Sequence, residues 1–269
     1  MLDFNSRQSE IVALARSSGR VTVEELARRF EVSPQTIRKD LNELCDRRVL
    51  TRVHGGAIVA SGVENLAYEA RRFVAAEEKK AIGRAAAELI PNNCSLFINI
   101  GTTTEEVASA LTSHEELLVI TNNLNVAMLL HRHPRIEVVV AGGSVRSSDG
   151  ALVGSTAISI IRQFKVDYAI IGTSAIDQEG ALLDFDFREV QVAQAIIENA
   201  RSVMLVADSS KLSRSAPVRI AHISQINTFV TDRLVSASLR TICQNRGIRV
   251  IEAIPDGDLD AEGLPPSGT

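Results

Sequence analysis

Apolar side chains recur at helical spacing in the first fifty residues. Beyond residue 94 they gather instead into short runs separated by helix-length segments. The first pattern predicts three helices. One over residues 4–18 carries Phe4, Ile11 and Leu14 on a single stripe, and Gly19 follows as its stop. Thr22, with Glu25 three residues on, is a capping box. It opens a second helix in which Val23, Leu26, Ala27 and Phe30 keep i, i+3, i+4, i+7 spacing. After the turn Glu31-Val32-Ser33, Ser33 caps a third helix, and Pro34 takes its first position, where a missing N–H costs nothing. Two extended runs around Gly55-Gly56 then predict a β-hairpin.

The later runs are residues 95–100, 117–121, 136–141, 168–172, 203–207, 228–230 and 249–251. Short apolar strands alternating with helices make βαβ units and a mostly parallel sheet. The predicted fold class is therefore α/β: an N-terminal winged helix-turn-helix, then a mostly parallel α/β domain. The predicted boundaries are 1–57 for the head, 58–76 for a linker, 77–253 for the α/β body and 254–269 for a mobile tail rich in Asp, Gly and Pro.

The third helix carries chemistry. Ile37, Leu41 and Leu44 form its apolar stripe; at 100° per residue Gln35, Lys39 and Asn42 lie nearly opposite, with Arg38 on the flank. Amide and cationic donors on one face suit base edges and phosphates in a major groove. Two short helices joined by a tight turn, the second so divided, make a helix-turn-helix. A plain polar helix on a small bundle has the same split, and Asp40 and Asp46 count against a broadly basic surface. In the hairpin, Arg52 and His54 could reach phosphate or the minor groove; solvated charges on a structural hairpin are the alternative.

Composition changes this picture in two ways. The 269 residues carry a net charge of −4, which by itself points away from nucleic acid. Residues 1–56, however, hold 10 Lys and Arg against 8 Asp and Glu, and the rest hold 19 against 25, so a slightly basic head precedes an acidic body. Aromatic residues are 4% and Trp is absent, so the cores must be aliphatic and little is left for stacking single-stranded bases. No run approaches the length of a membrane span, and no secretory signal opens the chain. Cys45, Cys94 and Cys243 lie far apart, which fits a reducing cytoplasm and excludes a disulfide framework or a Cys-rich zinc site. No membrane partner, metal or cofactor is expected.

In open α/β sheets ligands bind beyond the carboxyl ends of the strands. Polar loops recur there. Asn99 leads into Gly101-Thr102-Thr103-Thr104 ahead of a helix at 105–111, a combination of backbone access, hydroxyls and helix dipole that suits an anion. Asn122 and Asn123 end the second run, and Gly142-Gly143 end the third and lead to Arg146, a bidentate phosphate donor. Ser174 follows the fourth run, and Lys211 the fifth. Each alone is also ordinary capping or turn chemistry; together they predict a pocket for a small polar anion.

Two motif sets resemble one family. Residues 32–41 (VSPQTIRKDL) with residues 52–57 (RVHGGA) are similar to the DNA-binding head of the DeoR family of bacterial repressors. The resemblance adds Ser33 and Thr36 to the DNA-facing set. Residues 97–103, 121–127, 141–143 with Arg146, and 207–211 resemble the family's effector motifs, so the likeness runs over about residues 5–252. It implies a body like the sugar-phosphate isomerase and CoA-transferase folds that binds phosphorylated sugars or polyols. Residues 33–44, 123–127 and 147–150 resemble the glycerol-3-phosphate branch. Two departures stand out: the family pattern has Asp where this chain has Asn99, and Lys where it has Ala193. If the two positions face each other, an ion pair has been lost without changing local charge.

An enzyme is the competing class. The chain has no phosphate-cradling Gly-rich NTPase loop, no Gly-x-Gly-x-x-Gly, no His-Glu-x-x-His and no nucleophile elbow at Gly172-Thr173-Ser174. Asp184 and Asp186 could form an acid/base pair or accept hydroxyls of a polyol. An amide at 99 and a methyl at 193 cannot move protons, so no catalytic residue is expected. The reading is a regulator of a carbohydrate or glycerol operon. Its partners would be double-stranded operator DNA and a phosphorylated sugar or glycerol-3-phosphate, and it would act as a homodimer or homotetramer.

Overall fold

The computed structural model describes residues 5–18, 20–47, 49–53, 55–59 and 68–255, with the side chains of 16–18, 20, 51–53, 58–59 and 69–70 left out. The chain divides into two compact units, residues 1–74 and 75–269.

The first unit contains α1 (Ser6–Ser18), β1 (Arg20–Thr22), α2 (Val23–Arg29), α3 (Pro34–Asp46), β2 (Leu50–Val53), β3 (Gly56–Val59) and α4 (Tyr68–Phe73). Both predicted caps form. Thr22 Oγ1 accepts from the Glu25 N–H at 3.2 Å while Glu25 Oε2 accepts from the Thr22 N–H. Ser33 Oγ accepts from the Thr36 N–H, with Pro34 in the first turn. The apolar stripes of α1, α2 and α3 meet in one core of Ile11, Leu26, Ile37, Leu41 and Leu44. The hairpin β2–β3 gains a third antiparallel strand, β1, in the order β1-β3-β2. The expected linker includes the helix α4, formed by Tyr68-Glu69-Ala70-Arg71-Arg72-Phe73.

The second unit begins with α5 (Ala76–Ala87), β4 (Cys94–Ile98), α6 (Thr102–Ala110), β5 (Leu117–Thr121), α7 (Leu124–Leu130) and β6 (Ile136–Val140). It continues through β7 (Ser144–Val145), β8 (Leu152–Val153), α8 (Ser155–Ile161), β9 (Val166–Ile171), β10 (Ala175–Ile176), β11 (Ala181–Asp184) and α9 (Phe187–Glu198). It closes with β12 (Ala200–Val206), β13 (Val218–His222), β14 (Thr228–Thr231), α10 (Ala237–Arg246) and β15 (Arg249–Glu252). All seven expected runs enter one sheet of order β15-β14-β12-β9-β4-β5-β6, and every pairing in it is parallel. The antiparallel pieces lie outside it, as the hairpin β7–β8 and the small sheet β10-β11-β13.

Side-chain alternation splits the core. Leu96 and Ile98 of β4 join Ile82, Val107 and Val126 from α5, α6 and α7 on one face. Phe97 joins Ala157, Val190, Ile196 and Leu239 from α8, α9 and α10 on the other. Helices on both faces explain why the strands are near-continuous apolar runs rather than alternating ones. The strands are parallel, so their carboxyl ends share one edge, and the loops that follow β4, β5, β6, β9 and β12 meet there.

Candidate functional site

In the head, the divided surface of α3 follows from its stripe. Ile37, Leu41 and Leu44 are fully buried, whereas Gln35, Arg38, Lys39 and Asn42 are exposed. Among the described residues none of these four is held by a hydrogen bond or ion pair. Ser33 and Thr36 differ: their hydroxyls lie 2.9 Å apart and serve the helix cap. Asp40 corrects the sequence reading. It is 4% exposed, on the inner face, and its carboxylate is met by Arg7 Nε at 2.7 Å. Its charge therefore does not oppose the outer face. Arg52 sits in β2 of the hairpin, but its side chain, and all of His54, lie outside the described residues.

In the body, Asn99 follows β4 and is 2% exposed, and its Oδ1 is buried without a partner. Gly101 adopts φ +142° and caps α6 with no side-chain bond. The helix thus begins at Thr102, three residues earlier than expected, and the threonines form its buried first turn rather than a loop. The Thr104 hydroxyl is not available to a ligand, because it donates to the carbonyls of Asn99 and Gly101 at 2.7 and 2.8 Å. Thr102 and Thr103 remain at the uncapped N-terminus.

Asn122 and Asn123 end β5 with different fates. Asn122 is fully buried, donates to the Leu152 carbonyl, and keeps Oδ1 without a partner. Asn123 caps α7 through Oδ1 and gives Nδ2 to Glu105, so both ends of its amide are engaged, contrary to expectation. Gly142 and Gly143 follow β6; Gly143 has φ +131°, and a Cβ there would meet the Val153 carbonyl at 2.8 Å.

Arg146 is the largest departure from expectation. Its guanidinium is clasped by Asp149 at 2.6 Å, Glu189 at 2.7 Å and Asp186 at 2.8 Å. Burial works against its charge, but the bond to Asp149 and the field of Glu189 hold it firmly protonated. One cation facing three carboxylates is not a free phosphate donor. The same cluster disposes of the supposed acid/base pair. Asp186 caps α9, and Arg188 first, then Arg146, hold its carboxyl well below the usual range against the effect of burial. Asp184 Oδ1 accepts from the Phe185 N–H.

The cationic pole lies elsewhere on the edge. Lys211, 8% exposed, follows β12 and sits 3.9 Å from Asp208 Oδ2. Asp208 is 1% exposed; burial pushes its carboxyl up, but Lys211, then Lys79, hold it below its ordinary value. Lys79, on α5, is 2% exposed and among the largest fully buried side chains. Sequence reasoning missed it because Glu77-Glu78-Lys79-Lys80 reads as a solvated charge run. The signal was its place on the stripe completed by Ile82 and Ala86. Two buried lysines thus act on one buried aspartate at this edge. Ser174, 4% exposed, precedes β10, which packs against the Ser209–Ser213 turn that carries Lys211.

The segments that follow the strands at this edge thus carry Asn99, Gly101, Thr102, Thr103, Asn122, Ser174 and Lys211, and Lys79 of α5 acts on Asp208 there. Among the described residues no cluster suits a metal ion, and no helix is long and apolar enough to cross a membrane.

Residues 7–63 match the DeoR-like helix-turn-helix domain family, and residues 74–233 match the DeoR C terminal sensor domain family. The chain is 44% identical to the glycerol-3-phosphate regulon repressor of Escherichia coli, over 91% of this chain and 97% of that one. It is 41% identical to the HTH-type transcriptional repressor CsqR of the same organism, over 93% and 96% of the two chains. Among solved structures, ribose 5 phosphate isomerase A from Neisseria gonorrhoeae is 17% identical over 51% of this chain and 54% of that chain, with a TM-score of 0.37, too low to carry an argument about chemistry. Similarity to transcriptional repressors over nine-tenths of both chains, with a match in each unit, places the protein in the DeoR family as a DNA-binding transcriptional regulator rather than an enzyme.

Proposed function

We propose that the protein is a repressor that reads an operator through the outer face of α3 and senses a phosphorylated metabolite, glycerol-3-phosphate, at the carboxyl edge of its parallel sheet. The observation that carries the sensing half is the pair of buried lysines, Lys79 and Lys211, around Asp208. Buried cationic side chains on the same sheet edge as the uncapped first turn of α6 favour a compact anion. The hydroxyls of such a ligand have acceptors waiting in the buried Oδ1 atoms of Asn99 and Asn122. The polyol phosphate itself is suggested by the name of the 44% identical relative. On the DNA side, Gln35 and Asn42 suit adenine edges, Arg38 and Lys39 guanine or phosphate, and the hairpin with Arg52 and His54 flanks the groove.

One helix-turn-helix makes few contacts, so the protein acts as a homodimer or homotetramer on repeated half-sites, in the cytoplasm. Effector binding changes DNA occupancy only if the two arrangements of the protein bind it with different affinity. The test is a gel shift at fixed salt on the DNA upstream of the protein's own gene, adding glycerol-3-phosphate, fructose-1-phosphate and other sugar phosphates singly. A change in bound fraction with glycerol-3-phosphate alone, abolished by Lys211→Met, supports the reading. A response to a different sugar phosphate moves the effector assignment to that compound. No response to any phosphate ester refutes the sensor assignment.

A further inference from the structure

The inner face of α3 is held by polar groups as well as by its apolar stripe. Asp40 and Glu43, one helical turn apart, both turn toward the first turns of α1. Arg7 Nε donates to Asp40 Oδ2 at 2.7 Å. Gln8, 3% exposed, gives its amide to Glu43 Oε2 at 2.7 Å and to Asp40 Oδ1 at 3.3 Å. Gln8 is itself fixed: its N–H donates to Asn5 Oδ1 at 2.8 Å, and its Oε1 accepts from the Asn5 N–H at 3.4 Å. Each bond has a defined direction, unlike the contacts of Ile37, Leu41 and Leu44, which would tolerate a small rotation of the helix.

Such a rotation matters at the outer face. At 100° per residue, Arg38, Asn42 and Gln35 lie about 160–220° around α3 from Asp40. Side-chain ends sit about 5–6 Å from a helix axis, so a roll of about 10° moves them by about 1 Å. Hydrogen bonds to base edges do not survive that displacement, whereas attraction to phosphates barely changes.

We propose that Arg7 and Gln8 are positioning residues for DNA recognition. They fix the roll of α3 by gripping Asp40 and Glu43 from behind, and so set sequence discrimination without touching DNA. The proposal rests on the reading of α3 as the helix that enters the groove.

The test uses the full chain and two duplexes: one that the unaltered protein recovers from a randomised pool, and a scrambled duplex of the same composition. Gln8→Leu and Arg7→Leu are expected to lower the preference for the recovered duplex by about tenfold or more. Affinity for the scrambled duplex, and its salt dependence, should stay within about twofold, because phosphate contacts are unaltered. Arg7→Lys keeps the ion pair with Asp40 and should keep the preference. Should Arg7→Leu unfold the head by leaving Asp40 unpaired, Gln8→Leu, which removes no charge, carries the test. Equal losses on both duplexes, or an unchanged preference, overturn the proposal. Gln35→Ala separates the two levels of failure. If it leaves the preference unchanged, α3 is not the reading helix. If it lowers the preference and Gln8→Leu does not, α3 reads DNA and only the positioning role fails.

Discussion

Replacing Arg146 with Met tests whether its charge belongs to the fold or to a ligand. The substitution removes the counter-charge of Asp149, Asp186 and Glu189, whose side chains are 5%, 21% and 10% exposed, while Met keeps most of the volume. Four N–H···O contacts between 2.6 and 2.8 Å disappear. Removing the cation from a buried ion cluster in this way costs about 3–5 kcal/mol. For a domain of this size each kcal/mol moves the melting midpoint by about 2–4 °C, so scanning calorimetry of the full chain should show a loss of about 6–20 °C at neutral pH. The pH dependence has a definite sign. In the unaltered protein Asp186 is held below the ordinary carboxylate range, chiefly by Arg188 and Arg146. Its stabilisation is thus present above the unfolded carboxylate pKa and lost only at strong acidity. In Arg146→Met the three carboxylates face one another without that cation, the hold on the Asp186 carboxyl weakens, and the penalty is greatest at high pH. The gap between variant and parent should therefore narrow as pH falls toward about 5. A loss under about 3 °C, or a gap that does not change with pH, refutes the view that Arg146 is the counter-charge of this cluster and returns it to the ligand.

Two further outcomes are expected. Phe97, two residues before Asn99, and Ala193 share one apolar cluster, and Asn99 Oδ1 is buried without a hydrogen-bond partner. Asn99→Asp alone should weaken binding of sugar phosphates, measured by calorimetric titration, more than Asn99→Asp with Ala193→Lys, and additive effects across the four proteins would dismiss the pairing. In the head, Thr22→Ala removes the hydroxyl that accepts from the Glu25 N–H, leaves the backbone N–H of residue 22 bonded to the Glu25 carboxylate, and should cost about 1 kcal/mol, whereas Thr22→Ser should cost little; equal losses in denaturant titrations would mean that packing of the Thr22 methyl, not the cap, is responsible.

Much of the fold was legible because its signals are local. Thr22 with Glu25, and Ser33 with Pro34, announce helix starts within four residues. The strands show as apolar runs because helices cover both faces of the sheet. The pieces that escaped notice depend on distant partners. β11 is four residues long and pairs with β13, as in Leu182 with Ala221, which no nearby residue could reveal. The site divides along the same line. Asp149 lies one turn of chain from Arg146 and could be guessed, but Asp186 and Glu189 come forty residues later. Asp40 and Lys79 are instructive failures of another kind. Both stand on the apolar stripes of their helices, Asp40 between Ile37 and Leu44 and Lys79 ahead of Ile82, so periodicity marked them as buried while their charge suggested solvent.

The strand order also sets a timetable for synthesis. β4, near the middle of the sheet, pairs on one side with β9, and Leu96 meets Tyr168 only after 72 more residues have been made. At about 5–20 residues per second the nascent chain waits about 4–14 s with that flank of β4 open. β12 must then arrive before β9 has neighbours on both sides. The head, whose core draws on Ile11 to Ala57, is complete long before this. A ribosome therefore releases a finished DNA-binding head first, tethered to a half-built sheet whose unpaired edge is the segment most in need of a chaperone.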